Sequence, residues 1–174
     1  MPDRKTILVT YDSGYGSTAE VAGQIEKSLC EADLLVDLQP VDNIKNLEQY
    51  SAVIIGSPIR YDRWMPAAKS FVLNHQQQLS KIPVAYFFCC MTLARRTAET
   101  EQKAQHYAEM LANLAPQVNP ISIGQFSGVL DLTKMSLPLH LLFMIFSKIS
   151  GIKPGDYRNW KEIRKWAKAI AEHL

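Results

Sequence analysis

The stretch Tyr11-Asp12-Ser13-Gly14-Tyr15-Gly16-Ser17-Thr18 decides the fold of this 174-residue chain. It follows an apolar run, Ile7-Leu8-Val9, that predicts a buried strand, and it leads into residues 16–30, where apolar side chains recur at helical spacing. A strand, a loop of glycines and hydroxyls, and a helix start bring backbone N–H groups and the positive end of the helix dipole to one place. The stretch therefore predicts an anion-binding loop.

The residue types in this loop favour a phosphate monoester. Glycine allows positive φ and a close approach of the backbone to a ligand, and the hydroxyls of Ser13, Ser17 and Thr18 add donors. The loop contains no lysine, so it differs from the GxxxxGK[ST] triphosphate site. Two alternatives stay open. Gly14-x-Gly16-x-x-Ala19 also fits the dinucleotide fingerprint, with Asp37 downstream, and a tight turn capped by Ser17 or Thr18 would contain the same residues.

Composition restricts the class of protein. With 47% hydrophobic residues, 21% charged residues and a net charge of +2, one globular domain spanning 1–174 is expected. No basic run is interleaved with aromatic residues, so no nucleic-acid partner is expected. The three cysteines form neither a metal-binding spacing nor a disulfide framework, and the adjacent Cys89 and Cys90 are expected to point to opposite faces of a strand. No metal site is therefore expected. The first apolar run is too short for a signal peptide, and the lack of a disulfide framework fits a reducing cytoplasm, so a cytoplasmic location is expected.

Apolar runs and helical periods alternate along the chain. This alternation predicts an α/β fold with a five-stranded parallel sheet that is covered on both faces. The preferred strand order is 2-1-3-4-5, which opens a crevice at the C-terminal ends of strands 1 and 3. Strands are predicted at residues 6–10, 34–38, 52–56, 83–89 and 118–123, and helices at residues 16–30, from Pro66 onward, at 99–114 and at 157–173.

Three loops leave the C-terminal edge of this predicted sheet, and we expect them to enclose one ligand. They are the anion-binding loop, residues 57–66 after strand 3, and residues 91–94 after strand 4. The second loop contains two aromatic residues, Tyr61 and Trp64, and two arginines, Arg60 and Arg63. The third contains no aromatic residue.

The chain resembles the flavodoxins. They carry [ST]-x-T-G-x-T after strand 1, and this chain matches that motif at Ser13, Gly16 and Thr18, with Tyr15 in place of the middle threonine. The resemblance implies a non-covalently bound FMN, with its phosphate in the anion-binding loop and its ring between the other two loops. The residues implied for FMN binding are Ser13, Gly14, Tyr15, Gly16, Ser17, Thr18, Pro58, Ile59, Arg60, Tyr61, Trp64, Met91, Thr92 and Leu93.

Three stretches resemble the flavodoxin-like, menaquinone-dependent protoporphyrinogen oxidases more closely. Gly56-Ser57-Pro58-Ile59-Arg60-Tyr61 resembles their G-x-x-I-R-Y, Thr92-Leu93-Ala94-Arg95 resembles their L-x-A-R, and the apolar insertion at residues 135–150 resembles theirs. The resemblance implies an FMN-dependent oxidoreductase of heme biosynthesis that passes electrons from a reduced apolar substrate to a quinone.

The catalytic chemistry would be that of the flavin, because no protein acid or base stands out. Arg60 and Arg63 are the candidates to pair with a substrate carboxylate or with negative charge on reduced flavin. Solvated loop charges are the alternative for both arginines. The alternative function is a flavodoxin-type electron carrier. Such carriers are usually acidic, which the net charge of +2 does not favour.

An insertion at about residues 129–156 precedes the last helix and is expected to lie far from the phosphate loop in the topology. Its apolar run from Leu137 to Phe146 is too short to span a bilayer, and Lys134, Lys148 and Lys153 flank it. One interpretation is that it packs on its own domain or across a homodimer. The other is a peripheral surface that meets the inner face of a membrane, a quinone or a flat apolar substrate.

Overall fold

Five parallel strands form the centre of the computed structural model, which describes residues 6–134, 137–150 and 152–174. Within these ranges the side chains of residues 134, 139, 140, 146, 147, 149 and 150 are not described. The strand order β2-β1-β3-β5-β6 confirms the predicted order, and a short β4 pairs antiparallel with β3. The strands are β1 Thr6–Tyr11, β2 Val36–Pro40, β3 Tyr50–Arg60, β4 Arg63–Trp64, β5 Val84–Cys90 and β6 Ser122–Ser127.

Helices and short turns connect these strands. Two short antiparallel strands, β7 Val129–Leu130 and β8 Gly155–Asp156, pair at the base of the insertion. The helices are α1 Ser17–Cys30, α2 Pro66–Asn74, α3 Gln76–Leu79, α4 Ala98–Ala112, α5 Leu137–Ser150 and α6 Trp160–Ala171, and 3₁₀ turns lie at Val41–Asn43, Met91–Ala94 and Leu132–Lys134. The predicted start of the apolar helix at Met135 lies outside the described residues.

The sheet separates two hydrophobic cores because side chains alternate between its faces. Along β5, Tyr86, Phe88 and Cys90 belong to one core, and Phe87 and Cys89 belong to the other. The prediction that the two adjacent cysteines are core residues on opposite faces is therefore confirmed. The α1 residues Val21, Ala22, Ile25 and Leu29 and the α6 residues Ile163, Ala167 and Ile170 are buried against the second core, as their spacing predicts.

The last strand of the sheet is placed differently from its prediction. The predicted strand covers residues 118–123, with an extension to Phe126 left open, whereas β6 is Ser122–Ser127, so the difference lies at the start of the strand. Pro120 has no N–H to donate, and the Ile121 N–H is the group that bonds the Val84 carbonyl at 2.8 Å. Regular pairing with β5 therefore begins only after the proline.

Candidate functional site

The loop between β1 and α1 has the geometry of an anion cradle. Gly16 is the N-cap of α1 and adopts φ +90° and ψ −19°, a left-handed conformation. The Asp12 N–H donates to the Gly56 carbonyl at 2.9 Å, which holds the start of the loop against the end of β3. The Ser13 hydroxyl oxygen accepts from the N–H groups of Gly16 and Ala19, at 3.1 and 3.3 Å. The turn is therefore fixed by the loop's own residues.

The start of α1 directs donors toward the space in front of the turn. Ser17 and Thr18 are the first two residues of the helix, and N–H groups in the first turn have no acceptor within the helix. An added Cβ on Gly16 would meet no heavy atom within 4 Å, so this space is open. Open space, the N–H groups of Ser17 and Thr18 and the helix dipole fit a phosphate group.

The Thr18 side chain does not take the predicted position. Thr18 is 1% exposed, and its hydroxyl lies beside the Cys89 thiol. Burial raises the pKa of Cys89 to about 12, and the neighbouring Thr18 hydroxyl only partly opposes that effect. The Thr18 hydroxyl thus lies beneath the cradle, and the residue can offer only its N–H to an anion. Ser17 is partly exposed at the helix start.

Arg60, at the end of β3, lies on the anion-binding loop. Its Cζ atom is 4.3 Å from the centroid of the Tyr15 ring, a cation–π distance. An added Cβ on Gly14 would come within 2.7 Å of the Arg60 Nη2 atom, so the guanidinium packs directly against the loop backbone. Arg63, the other candidate arginine, is exposed on β4. The structure therefore distinguishes two arginines that the sequence treated alike.

The loop after β3 is a β-hairpin with a two-residue turn. Tyr61 and Asp62 have φ of 50° and 60°, as a type I′ turn requires. Tyr61 is 87% exposed at the tip, where its ring is free to cover a ligand. Pro58 and Ile59 are half-buried within β3, and Ile59 packs on the first core. These two residues support the hairpin more than they line a site.

Trp64 corrects the prediction that both aromatic residues of this loop lie against the ligand. Its ring is 4% exposed and packs edge-on against Tyr86, with ring centroids 5.2 Å apart. Because Trp64 is the Cα partner of Ile59 in the β3–β4 hairpin, its side chain is carried under the sheet edge and into the first core. Tyr61 alone remains as a candidate aromatic contact.

Tyr107 of α4 joins the two loops that would flank a ring. Its hydroxyl donates to the Asp62 carboxylate at the hairpin tip and lies beside the Thr92 side chain of the Met91–Ala94 turn. The Lys103 Nζ atom lies 2.9 Å from the same carboxylate. Hydrogen bonds from Tyr107 and then Lys103 lower the pKa of Asp62. No sequence motif marks this cluster, because Asp62 lies more than 40 positions before the two α4 residues.

The predicted site residues of the Met91–Ala94 turn differ in their exposure to solvent. Leu93 is buried in the first core, and its carbonyl accepts from the Ser127 hydroxyl at 2.9 Å. The prediction that the Leu93 side chain contacts the ligand is thus corrected, since only its backbone remains near the edge. Met91 and Thr92 are partly exposed and stay candidates.

Arg158 ties the base of the insertion to α1. Its side chain is 8% exposed, and its Nη1 atom donates to the Glu20 carboxylate at 2.7 Å and to the Ser17 carbonyl at 3.2 Å. Its Nη2 atom pairs with Asp156 of β8 at 2.7 Å. The segment that follows the insertion therefore adjoins the phosphate loop, while the distance expected between that loop and the apolar run Leu137–Phe146 stays a prediction. The ion pair between Arg158 and Glu20 joins residues 138 positions apart, so no local sequence pattern predicts it.

The insertion exposes an apolar helix. Five of its described large apolar side chains lie in solvent, with Leu137 75% exposed. No helix in residues 6–134, 137–150 and 152–174 combines the length and apolar content needed to cross a bilayer. The Phe146 side chain lies outside the described residues, as does that of Lys134. The exposed apolar residues of α5 are Leu137, Leu141, Leu142, Met144 and Ile145.

The dinucleotide interpretation has no support from Asp37. This residue lies on the edge strand β2, and its carboxylate accepts hydrogen bonds from the Tyr50 hydroxyl and the Gln39 side-chain amide. Both bonds go to its Oδ2 atom, so that oxygen is engaged within the protein.

Comparison with known proteins agrees with this geometry. A family model described as Flavodoxin domain matches residues 8–151, and the chain belongs to this family. Its fold is similar to that of flavodoxin 1 from Bacillus cereus, with a TM-score of 0.61 at 14% identity, covering 97% of this chain and 99% of that one.

Curated relatives carry a more particular name. The chain is 25% identical to the protoporphyrinogen IX dehydrogenase [quinone] of Escherichia coli K12, over 96% of this chain and 94% of the relative. The protein of the same name from Leishmania major is also 25% identical, over 94% of this chain and 74% of that protein.

Proposed function

We propose that this chain is an FMN-dependent oxidoreductase that oxidises a reduced, protoporphyrinogen-like substrate and passes the electrons to a quinone. Family membership and the fit of the anion cradle to a phosphate support FMN as the cofactor. The names of the curated relatives support the substrate and the acceptor. Bound FMN would supply the electron-transfer chemistry, since its ring accepts and releases hydrogen equivalents.

The residues of this chain would bind and orient the cofactor. The N–H groups at the start of α1 would hold the phosphate, and the Ser13 hydroxyl already fixes the turn that presents them. Tyr61 would cover one side of the ring from the hairpin tip, and Met91 and Thr92 would border the other. Tyr107 would help to keep these two borders at a constant spacing, because its hydroxyl donates to Asp62 of one border and lies beside Thr92 of the other.

The observation that carries the enzyme proposal is the position of the apolar insertion. Its base adjoins the phosphate helix through Arg158 and adjoins the third loop through Gly128, whose N–H donates to the Cys90 carbonyl at 3.1 Å. An apolar helix therefore rises from the same edge of the sheet as the three loops. A substrate and a quinone that are poorly soluble in water would both use such a surface.

We further propose that α5 contacts the inner face of a membrane peripherally. Its exposed leucine, methionine and isoleucine side chains would enter the acyl boundary, and the exposed Lys148 would lie near anionic headgroups, which contributes about 1 kcal/mol per lysine. Burial of the same face in a homodimer is the competing arrangement. In the first arrangement lipid removes the apolar side chains from water, and in the second another copy of the chain does so.

The test combines flavin absorbance, a quinone-reduction assay with protoporphyrinogen, and flotation with phosphatidylglycerol vesicles at low salt. Leu142→Glu should abolish vesicle binding and reduction of menaquinone in the vesicles, while the FMN absorbance is retained. Met110→Glu on α4 is the matched control, because Met110 is also an exposed apolar residue. Absence of vesicle binding and of quinone reduction in the wild type would favour the electron carrier. A stable dimer that Leu142→Glu dissociates would favour the homodimer.

A further inference from the structure

Arg60 occupies a position that the proposed function does not yet explain. Two residues of the anion-binding loop define it: its guanidinium lies 4.3 Å from the ring centroid of Tyr15 and within contact distance of the backbone at Gly14. It reaches this loop from the end of β3, a different segment of the chain. The sequence expectation was that it pairs with a substrate carboxylate or with reduced flavin. The structure places it at the phosphate end of the site instead.

The charge of Arg60 is not neutralised by a neighbouring acid. Within residues 6–134, 137–150 and 152–174, no carboxylate forms an ion pair with it. Arg158, on the other side of the start of α1, pairs with both Glu20 and Asp156. The hydroxyl and N–H donors of the loop are neutral. Arg60 is thus the cation in this part of the site whose charge remains available for a bound anion.

We infer that Arg60 binds the FMN phosphate and that its charge gives the site its preference for FMN over riboflavin. The inference rests on the proposed binding of FMN. A phosphate monoester carries a charge of about −1.5 to −2 at pH 7, and a guanidinium matches its oxygens with two parallel donors. The stack on Tyr15 holds the planar fork in place before the ligand arrives. Tyr15 therefore has a role here that a threonine at that position would not fill.

Gly14 has no side chain, and this allows the Arg60 guanidinium to lie against the loop. An added Cβ would lie 2.7 Å from Nη2 and 2.9 Å from Nη1 of Arg60, so the guanidinium would have to move away from the loop. Gly14→Ala should consequently reproduce part of the effect of removing the charge. This variant leaves Arg60 itself intact.

The experiment titrates the apoprotein with FMN and with riboflavin by flavin fluorescence. In Arg60→Gln, the affinity for FMN should fall at least about tenfold while that for riboflavin changes less than about twofold. Arg60→Lys should retain part of the preference, and Arg63→Gln, which changes an exposed arginine of the same hairpin, should retain all of it. Gly14→Ala should lower the preference for FMN over riboflavin, but by less than Arg60→Gln does. The FMN affinity of the wild type should also decrease more steeply with salt than that of Arg60→Gln.

Equal weakening of FMN and riboflavin binding in Arg60→Gln would overturn the inference, because the arginine would then support the ring or the loop. An unchanged ratio in that variant would overturn it as well. Either result leaves the proposed FMN function standing if the wild type binds FMN. Binding of neither flavin by the wild type would refute the proposed function and the inference together. Circular dichroism spectra identical to wild type show that each variant is folded.

Discussion

Replacing Gly16 by alanine tests the anion-binding loop through its backbone. At φ +90°, a residue with a Cβ is strained by about 1–2 kcal/mol, because the Cβ approaches the carbonyl oxygen. No heavy atom of the protein lies within 4 Å of the added Cβ, so steric overlap with neighbours contributes nothing. The entire cost is therefore conformational. For a chain of this size, it should lower the Tm of the apoprotein by roughly 2–8 °C.

Whatever part of this strain the apoprotein avoids by relaxing should appear in FMN affinity instead of in the Tm. If the Gly16→Ala apoprotein relaxes toward negative φ, the N–H groups at the helix start turn away from the cradle, and binding must restore them. A restoring cost of about 1–2 kcal/mol corresponds to a Kd that is roughly 5–30 times higher. Gly16→Val should abolish measurable binding, because a β-branched side chain tolerates positive φ least.

The assay is fluorescence titration of apoprotein with FMN, together with thermal denaturation in the absence of flavin. Gly23→Ala is the matched control, since Gly23 lies inside α1, has no positive φ and has only Leu38 at 4.0 Å from the added Cβ. It should leave FMN affinity unchanged and raise stability by up to about 1 kcal/mol. A Gly16→Ala protein that keeps both the FMN affinity and the Tm of the wild type would refute the proposed cradle.

Tyr61→Leu should weaken FMN binding without lowering the Tm, because Tyr61 is exposed. Trp64→Leu should cost about 3 kcal/mol of stability with little change in Kd, because Trp64 is buried. FMN titration measures the first effect and thermal denaturation the second. A thiol reagent at pH 8 should modify Cys30 alone in the native protein and all three cysteines after denaturation, because the other two are buried. The Arg158 hydrogen bond lowers the pKa of Asp156. Its stabilising effect is therefore full above the unfolded pKa of about 3.9 and is lost as the pH falls through the lower folded value, so Asp156→Asn should flatten the decrease of Tm in acid.

Local sequence patterns were sufficient for the sheet and for the phosphate end of the site. The order of strands follows from alternating elements, and the loop at Gly16 follows from glycines and hydroxyls at a helix start. The end of the site that would hold the flavin ring could not be predicted equally well, because residues 57–66 contain no local pattern that distinguishes a hairpin from an open loop. A two-residue turn at Tyr61 and Asp62 makes them a hairpin, which returns Trp64 to the core. Pairing across a turn of this kind decides the side on which each residue lies.

Contacts between distant segments explain the remaining differences. Arg60 reaches Gly14 across 46 positions only because β1 and β3 are neighbours in the sheet, with Tyr11 paired to Gly56. Arg158 reaches Ser17 because the pairing of β7 with β8 returns the chain to the start of α1. Neither contact has a periodicity or motif of its own. Both depend on the completed fold.

The two arginines suggest how one edge of the sheet would serve both a cofactor and an apolar substrate. Arg158 is neutralised by acids and fixes the base of the insertion against α1, whereas Arg60 keeps its charge and faces the loop. The apolar side chains of α5 lie beyond this base, so a lipid surface could receive them without the phosphate cradle entering the bilayer. A carrier that docks transiently on soluble partners would gain nothing from such a helix, since exposed apolar surface promotes self-association. The arrangement thus favours an enzyme whose substrate or acceptor arrives from an apolar phase.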